Sequence, residues 1–411
     1  MYLSDCPLTR GECFVKVSEA SGRVTALEET ERRVGRLLDA IPVTRVSDIS
    51  RLELSQAPVM AAITPLARDL TTHMGKGLTV RAARVSAIME AIERISAETV
   101  RGDVRRASYS QLMEQGLKCV DPERFDLPPT TAYRPDLPID WVSGWDLIGK
   151  CEIQVPTDLC VSPPGQCVLD QVDTNGLAAG ASFGEAIRHA LLEVIERDAS
   201  SQQLFFELFG TGHLCGPTRK RISRRLLPTT CAELVSRVET DRVSVVLDEI
   251  TTDIGIPVMA CYLIDAAYPA ATGTTRVIFG GWGCDPSPEH ALNRALTEAH
   301  QSRIGTIQGT RDSFNLIQGS DRDFTRQMRG TILKDAPEET LTVADGLSDS
   351  IAEDVELIVD RLRSTGVDQA VVVDMSDPSL GVPVVRVRVP GLAMFMVDRC
   401  RVGWRCMRHI L

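Results

Sequence analysis

The chain has 411 residues, of which 43% are hydrophobic and 25% charged, with 56 acidic against 45 basic side chains and a net charge of -11. Those proportions exclude disordered, collagen-like and coiled-coil chains, and the acidic balance lacks the basic footprint that non-specific binding to nucleic acid needs. No segment approaches the ~18 uninterrupted apolar residues of a membrane span, and the N-terminus lacks a basic segment followed by an apolar run, so a cytoplasmic protein without membrane contact is expected.

In chain order, Thr25 to Leu38 reads as a charged helix and residues 41 to 50 as strand or loop. Residues 1–60 are therefore expected to form a helical lead-in that contacts a partner or substrate, and residues 61–411 the catalytic domain. From Ala61 onward short β-rich runs alternate with Ala-rich helical ones, the pattern of an α+β enzyme core. Strands are expected at Ile139–Ser143, Cys151–Val155, Val243–Leu247, Val258–Ile264, Arg276–Gly280, Ala370–Val373 and Val384–Val389, with proline-rich loops at Pro128–Pro138 and Pro163–Pro164. Twelve cysteines run from Cys6 to Cys406 without a C-x-x-C pair. Buried thiols are expected rather than disulfides or a zinc knuckle, although the arginines around Cys400 and Cys406 could lower a thiol pKa.

The chain repeats itself. GLTVRAARVSAIMEAIER (Gly77–Arg94) and GASFGEAIRHALLEVIER (Gly180–Arg197) align without a gap, and DPSPEHALNRALTEAHQS (Asp285–Ser302) is a looser third copy with Glu298 and Gln301 in the two glutamate positions. Three equivalent loop-then-helix elements converging on one site are expected. Ser86, Glu90 and Glu93 fall on one helical stripe, as do Glu185, Glu193 and Glu196. Carboxylates bordering an apolar face repel one another and are costly to bury unpaired, so a cation should lie between them. Oxygen ligands suit Mg²⁺ with phosphate oxygens, whereas the Glu-x-x-His spacing of dinuclear iron bundles and paired histidines at zincin spacing are missing. Glycine-rich segments precede the first two helices, His73 to Gly77 with Lys76, and Asn175 to Gly180. They suit phosphate approach, although neither is a Walker loop. His189 lies on the acidic stripe between Glu185 and Glu193 as a partner to the carboxylates, while Gln301, Arg303 and Arg311 suit phosphate recognition.

GKGLTVRAARVSAIMEAIER, TNGLAAGASFGEAIRHALLEVIERD and ALTEAHQSRIGTIQGTRD together resemble the YcaO superfamily, as do WVSGWDLIGKCEIQVP (141–156) and VPGL (389–392). The resemblance spans about residues 61 to 400. It implies a sheet system with three Ala-rich helices around ATP and Mg²⁺, and an enzyme that phosphorylates a peptide-backbone amide oxygen so that a nucleophile can attack the carbon. Carried over by position, Glu90, Glu93, Glu185, Glu193 and Glu196 supply metal ligands. Ser86, Lys76, Glu90, Glu185, Glu193, Arg197 and Arg303 contact the nucleotide, and Glu93, Glu196 and Arg197 take the catalytic roles. The sequence departs from the family at Ala181, where a G-N-T run is common, at Ala393, where Glu usually follows VPGL, and in its RVGWRCMRHIL tail, which lacks the proline-rich end of azoline-forming members. The Gly-Lys-Gly-Leu-Thr run looks most like members with a TfuA-type partner, which are linked to thioamide formation on a peptide or protein with an external sulfur donor. The alternatives are an azoline or amidine cyclodehydratase and a non-catalytic nucleotide-binding scaffold. A homodimer is expected.

Overall fold

The structure is a computed structural model that describes residues 2–17, 22–53, 57–169, 173–211, 214–265, 278–309, 332, 338–339 and 348–411. Arg276 and Arg311 lie outside the described residues. The elements run α1 (Tyr2–Asp5), α2 (Leu27–Gly35), β1 (Arg45–Asp48), β2 (Val59–Ile63), β3 (Thr72–Lys76), α3 (Val80–Ser96), β4 (Arg105–Ala107), α4 (Tyr109–Glu114), β5 (Ile139–Asp146), β6 (Cys151–Pro156), β7 (Leu177–Ala179), α5 (Phe183–Phe209), β8 (Lys220–Ile222), α6 (Thr229–Val238), β9 (Val243–Glu249), β10 (Val258–Asp265), β11 (Ile278–Cys284), α7 (Pro288–Gln308), β12 (Glu338–Glu339), α8 (Ile351–Ser364), β13 (Val371–Asp374), β14 (Val384–Arg388) and α9 (Trp404–Met407). The fold is α+β, as expected. The lead-in helix is shorter than Thr25–Leu38, and the strand expected to end at Gly280 continues to Cys284.

Three sheets share one design. Their strand orders are β1-β2-β3, β11-β10-β9-β8-β12 and β4-β5-β13-β14-β7, with β6 paired to β5. The strand that leads into each repeated helix, β3, β11 or β7, is thus an edge of its own sheet. Each helix also touches the leading strand of another copy: α3 touches β7, α5 touches β11, and α7 touches β3. The result is a closed ring of three strand-helix units. Nothing in the sequence periodicity alone specifies that closure, because it depends on which edges meet.

Alanine recurs on the strand-facing side of α3 and α7 because these helices lie almost flush on their strands. A Cβ on Gly75 would fall on the backbone of α3 at Ala83 and Ala87, and one on Gly281 would meet α7 at Ala295, Glu298 and Ala299. Glycine on the strand and alanine on the helix let the backbones approach in this way, and a larger side chain on either would overpack the layer. Threonine or serine caps all three helices at the same repeat position: Thr79 accepts from Ala82 N–H, Ser182 from Glu185 N–H and Ser287 from His290 N–H. Such caps satisfy an otherwise orphaned donor of the first turn.

The cores lie behind the ring. α5, 27 residues long, runs between β14 and α8 and packs Ile187, Leu191 and Ile195 into a large apolar cluster. A second cluster backs α3 with Ile88, Ile92 and Trp141, and a third backs α7 with Leu292 and Leu296. The N-terminal residues are packed into the same body, since β1 pairs antiparallel with β2 and α2 lies against α3. Cys6, Cys119, Cys160, Cys231, Cys261, Cys284 and Cys406 are buried, and all twelve cysteines are free thiols. Burial pushes the Cys406 thiol up to about 12, so the arginine-rich tail does not activate it. Cys400 is exposed.

Candidate functional site

The three repeated helices face a common cleft of roughly 870 Å³. Its walls follow the repeat. Ala82, Glu185 and His290 occupy one equivalent position, Val85, Arg188 and Asn293 the next, then Ser86, His189 and Arg294, and all nine line the cleft. Glu90, Glu193 and Glu298 form the next ring, followed by Glu93, Glu196 and Gln301, and then by Arg94, Arg197 and Ser302. The same helical stripe in each copy therefore points inward, which explains why one pattern occurs three times.

The carboxylates in this ring are crowded and short of water. Burial, and then the neighbouring Glu193 charge, hold Glu93 well above the usual carboxylate range, although it accepts a hydrogen bond from Ala179 N–H at 3.2 Å. Burial also raises Glu193. Lys76, with which it ion-pairs, and Arg197 hold Glu298 below the usual carboxylate range, while burial and then the Glu298 charge push Glu196 up. Raised pKa values mean that the cations beside these carboxylates do not fully offset their desolvation, and a metal ion supplied with a ligand would complete the compensation. Arg197 keeps its charge because Glu196, Glu193 and Glu298 outweigh the effect of its burial. His189 goes the opposite way: burial and then Arg294 lower its pKa well below the usual value, and its ring lies 3.1 Å from an Arg294 nitrogen. It is a neutral neighbour of Arg294 rather than a charged partner of the glutamates.

Of the residues expected from sequence, Lys76, Ser86, Glu90, Glu93, Glu185, His189, Glu193, Glu196, Arg197 and Gln301 all line the cleft. Several are already engaged. Glu90 accepts from Met74 N–H at 3.1 Å, and Gln301 donates to Met74 O at 2.5 Å. Glu185 accepts from Val24 N–H at 2.6 Å and Ala181 N–H at 3.1 Å, and pairs with Arg23 at 3.3 Å. Its carboxylate is thus held by the N-terminal segment and its own loop, which leaves it less available as a metal ligand than the resemblance implies. Arg303 is not brought to the cleft. It is buried between Glu53 and Asp265, 2.8 Å from the latter, and stacks over Phe279 at 5.8 Å. The phosphate contact expected of it is replaced by a structural ion-pair network. Arg94, adjacent to Glu93, pairs with Asp69 at 3.0 Å.

Sequence reasoning missed Arg188, Asn293 and Arg294 as site residues, and it placed Glu298 in the repeat without giving it a role. Arg294 stands at the repeat position of Ser86, so strict use of the third copy's register would have found it. Arg188 is held by Asp285 at 3.0 Å and Asp354 at 2.5 Å, contacts between distant segments that leave no local pattern.

The donor set fits Mg²⁺ carried by a nucleotide. Among the described residues no three His, Cys, Asp or Glu side chains gather closely enough to hold an ion unaided. Mg²⁺ usually needs only one or two carboxylates when phosphate oxygens and water complete its octahedron. Glu93, Glu193 and Glu196 are carboxylates of that kind, and the cations Arg197, Arg294 and Lys76 line the same cleft.

The family model described as YcaO cyclodehydratase, ATP- and Mg²⁺-binding, matches residues 74–393. An uncharacterised protein of Methanothermobacter thermautotrophicus is 35% identical over 394 residues, covering 93% of this chain and 98% of that protein. An uncharacterised protein in the tfuA 3' region of Rhizobium leguminosarum bv. trifolii is 32% identical over 414 residues, covering 96% and 94%. Among solved structures, YcaO from Methanopyrus kandleri bound with AMPPCP and Mg²⁺ has a TM-score of 0.74 at 25% identity, covering 95% of this chain and 97% of that one. A heterocyclase in complex with substrate and cofactor has a TM-score of 0.73 at 23% identity, covering 95% of this chain and 57% of its own, a likeness of fold alone.

Proposed function

The chain belongs to the YcaO family, whose members bind ATP and Mg²⁺, and from that premise we propose that it activates a peptide-backbone amide for attack by a sulfur nucleophile, giving a thioamide in a ribosomally made peptide or a protein. The observation that carries this reading is the ring of desolvated carboxylates facing arginine and lysine across one cleft. ATP with Mg²⁺ would supply the phosphoryl group and neutralise the charge that builds up on it. Glu93, Glu193 and Glu196 would hold the metal. Arg197, Arg294 and Lys76 would fix the phosphates, with Ser86 at the same depth. Phosphorylation turns the amide oxygen into a leaving group, so the carbon exchanges oxygen for sulfur with release of phosphate. Held in place by helices and, for Lys76, by strand β3, these side chains act by position and preorganised charge.

The sulfur assignment is supported by the Gly-Lys-Gly-Leu-Thr run and by the similarity to the protein in the tfuA 3' region. It brings with it a TfuA-like partner and a sulfur donor. A cyclodehydratase, in which a peptide side chain attacks instead, is supported by the family description. A scaffold that binds the nucleotide without turnover is the reading that Ala181 and Ala393 would favour. Ala393, however, is buried in an apolar cluster with Phe205 and Phe395, and its N–H donates to Asp198 at 2.9 Å, so that departure is a packing feature away from the cleft. Calorimetric titration of ATP with Mg²⁺ into the wild-type protein and into Glu196→Ala tests the site, and binding that survives the substitution sinks it. Intact-mass analysis of a treated peptide separates the chemistries: thioamidation replaces oxygen by sulfur, and cyclodehydration removes water.

A further inference from the structure

Beside the cleft lies a second concavity of roughly 430 Å³, walled by α2, by Met89 of α3, and by Gly180, Ala181 and Val382. Thr25, Thr30, Met89 and Ala181 line both spaces, so the groove opens into the cleft. Helix α2 sorts its charges between two faces. Glu28 and Glu31 turn to Arg81, at 2.5 and 3.1 Å. Glu29, Arg32, Arg33 and Arg36 fall at i, i+3, i+4 and i+7 and line the groove. Arg33 donates to Ala181 O at 3.0 Å and to Gly381 O, and carbonyls leave its charge uncancelled. Arg32 and Arg36 are exposed and have no carboxylate partner among the described residues. In a chain of net charge -11, three guanidiniums against one carboxylate make a local anion-attracting surface. Met89, Val34, Leu37 and Val382 add apolar walls.

We propose that this groove is the track along which the peptide substrate reaches the cleft, and that Arg32 and Arg36 select acidic side chains flanking the amide to be modified. The proposal rests on the peptide-activating reading and adds to it a substrate class and an entry route. A groove of this size suits an extended segment, and its open end at Ala181 delivers that segment to the loop that caps α5. Guanidiniums pair with carboxylates in a planar, two-pronged geometry, so acidic side chains are the chemistry that three arginines recognise best.

Fluorescence anisotropy tests it with two short rhodamine-labelled peptides of equal length, one rich in Asp and Glu and one rich in Lys, titrated with the full chain. The acidic peptide should bind, the basic one should not, and added salt should weaken the binding. Arg32→Glu/Arg36→Glu should weaken it about tenfold, with Arg32→Gln/Arg36→Gln between the two. Both positions are exposed, so thermal melting should be unchanged, and a parallel titration with AMPPCP and Mg²⁺ should match wild type. Acidic-peptide binding that survives the double substitution, or equal binding of both peptides, overturns the proposal. So does a matching fall in AMPPCP affinity, which would assign the arginines to nucleotide phosphates. A wild-type protein that binds the acidic peptide but no AMPPCP would instead refute the ATP-dependent function and leave the groove standing.

Discussion

Gly281→Ala tests whether the site depends on the flush packing of α7 on β11. A Cβ at this position would lie 2.7 Å from the carbonyl carbon of Glu298 and closer still to Ala295 O and Ala299 N. Ordinary contact begins at about 3.4 Å, and the obstacles are helix backbone, so α7 must retreat by on the order of 1 Å. That costs about 1–3 kcal/mol of stability in overpacking. It also carries Glu298, Gln301 and Arg294 away from α3 and α5, and a displacement of this size in a preorganised site lowers affinity or rate by up to about a hundredfold. Urea unfolding measures the first effect and calorimetric titration of AMPPCP with Mg²⁺ the second. Gly35→Ala is the control, because a Cβ there meets nothing within 4 Å. It should leave nucleotide affinity unchanged and alter stability by less than about 1 kcal/mol. Wild-type stability and affinity in Gly281→Ala would refute the close approach and, with it, the explanation of the alanine-rich helices.

Arg303→Met should cost about 3–5 kcal/mol in urea unfolding, because it removes the guanidinium held between the buried carboxylates of Glu53 and Asp265. AMPPCP affinity of the folded fraction should stay close to wild type. The reverse pattern, normal stability with lost affinity, would restore the nucleotide contact that the resemblance implies. Glu12→Ala removes the carboxylate that accepts from Phe183 N–H at 2.7 Å and Gly184 N–H at 2.9 Å at the start of α5. A loss of about 1–2 kcal/mol is expected, with faster amide exchange at those two residues, and unchanged exchange would count against this cap. Burial raises the Glu207 carboxyl to about 7 despite its pairing with Arg219 at 2.8 Å. A carboxyl raised above its unfolded value stabilises the fold at low pH and loses that contribution as pH rises from ~4.5 through about 7. Glu207→Gln should therefore flatten the stability profile across that window by on the order of 1–3 kcal/mol, and a parallel profile in the variant would refute it.

The repeat was the most legible feature of the sequence, and it located the carboxylate ring because a 3.6-residue period states directly which side chains share a face. The central strands were legible for a similar reason: Val258–Asp265 and Val371–Asp374 are short apolar runs with breakers around them. What escaped depended on contacts between distant segments. Arg386 and Arg388 sit in a strand that reads as ordinary alternation, yet both are buried, 2.9 Å from the two oxygens of Asp173, a partner more than 200 residues away. Arg303 was assigned to phosphate because an arginine near a ligating helix fits that role locally. Its position five residues past Glu298 on α7 takes it off the inward stripe and turns it toward Glu53 and Asp265 instead.

Glu185 shows how the two kinds of information combine. Its place in the repeat puts it at the rim of the cleft, with Ala82 and His290 at the equivalent positions. Only one of the three copies carries a carboxylate there, so the ring's shared chemistry does not require one. The contacts of Glu185 with Val24, Arg23 and Ala181 give it a different task, that of tying the segment before α2 to the loop before α5. That loop and helix α2 both line the arginine-lined groove. Glu185→Gln should therefore loosen the groove more than the metal site: acidic-peptide binding should fall, with AMPPCP and Mg²⁺ affinity changed less than by Glu196→Ala. Equal losses of nucleotide affinity in the two variants would return Glu185 to the metal ligands and separate the groove from it.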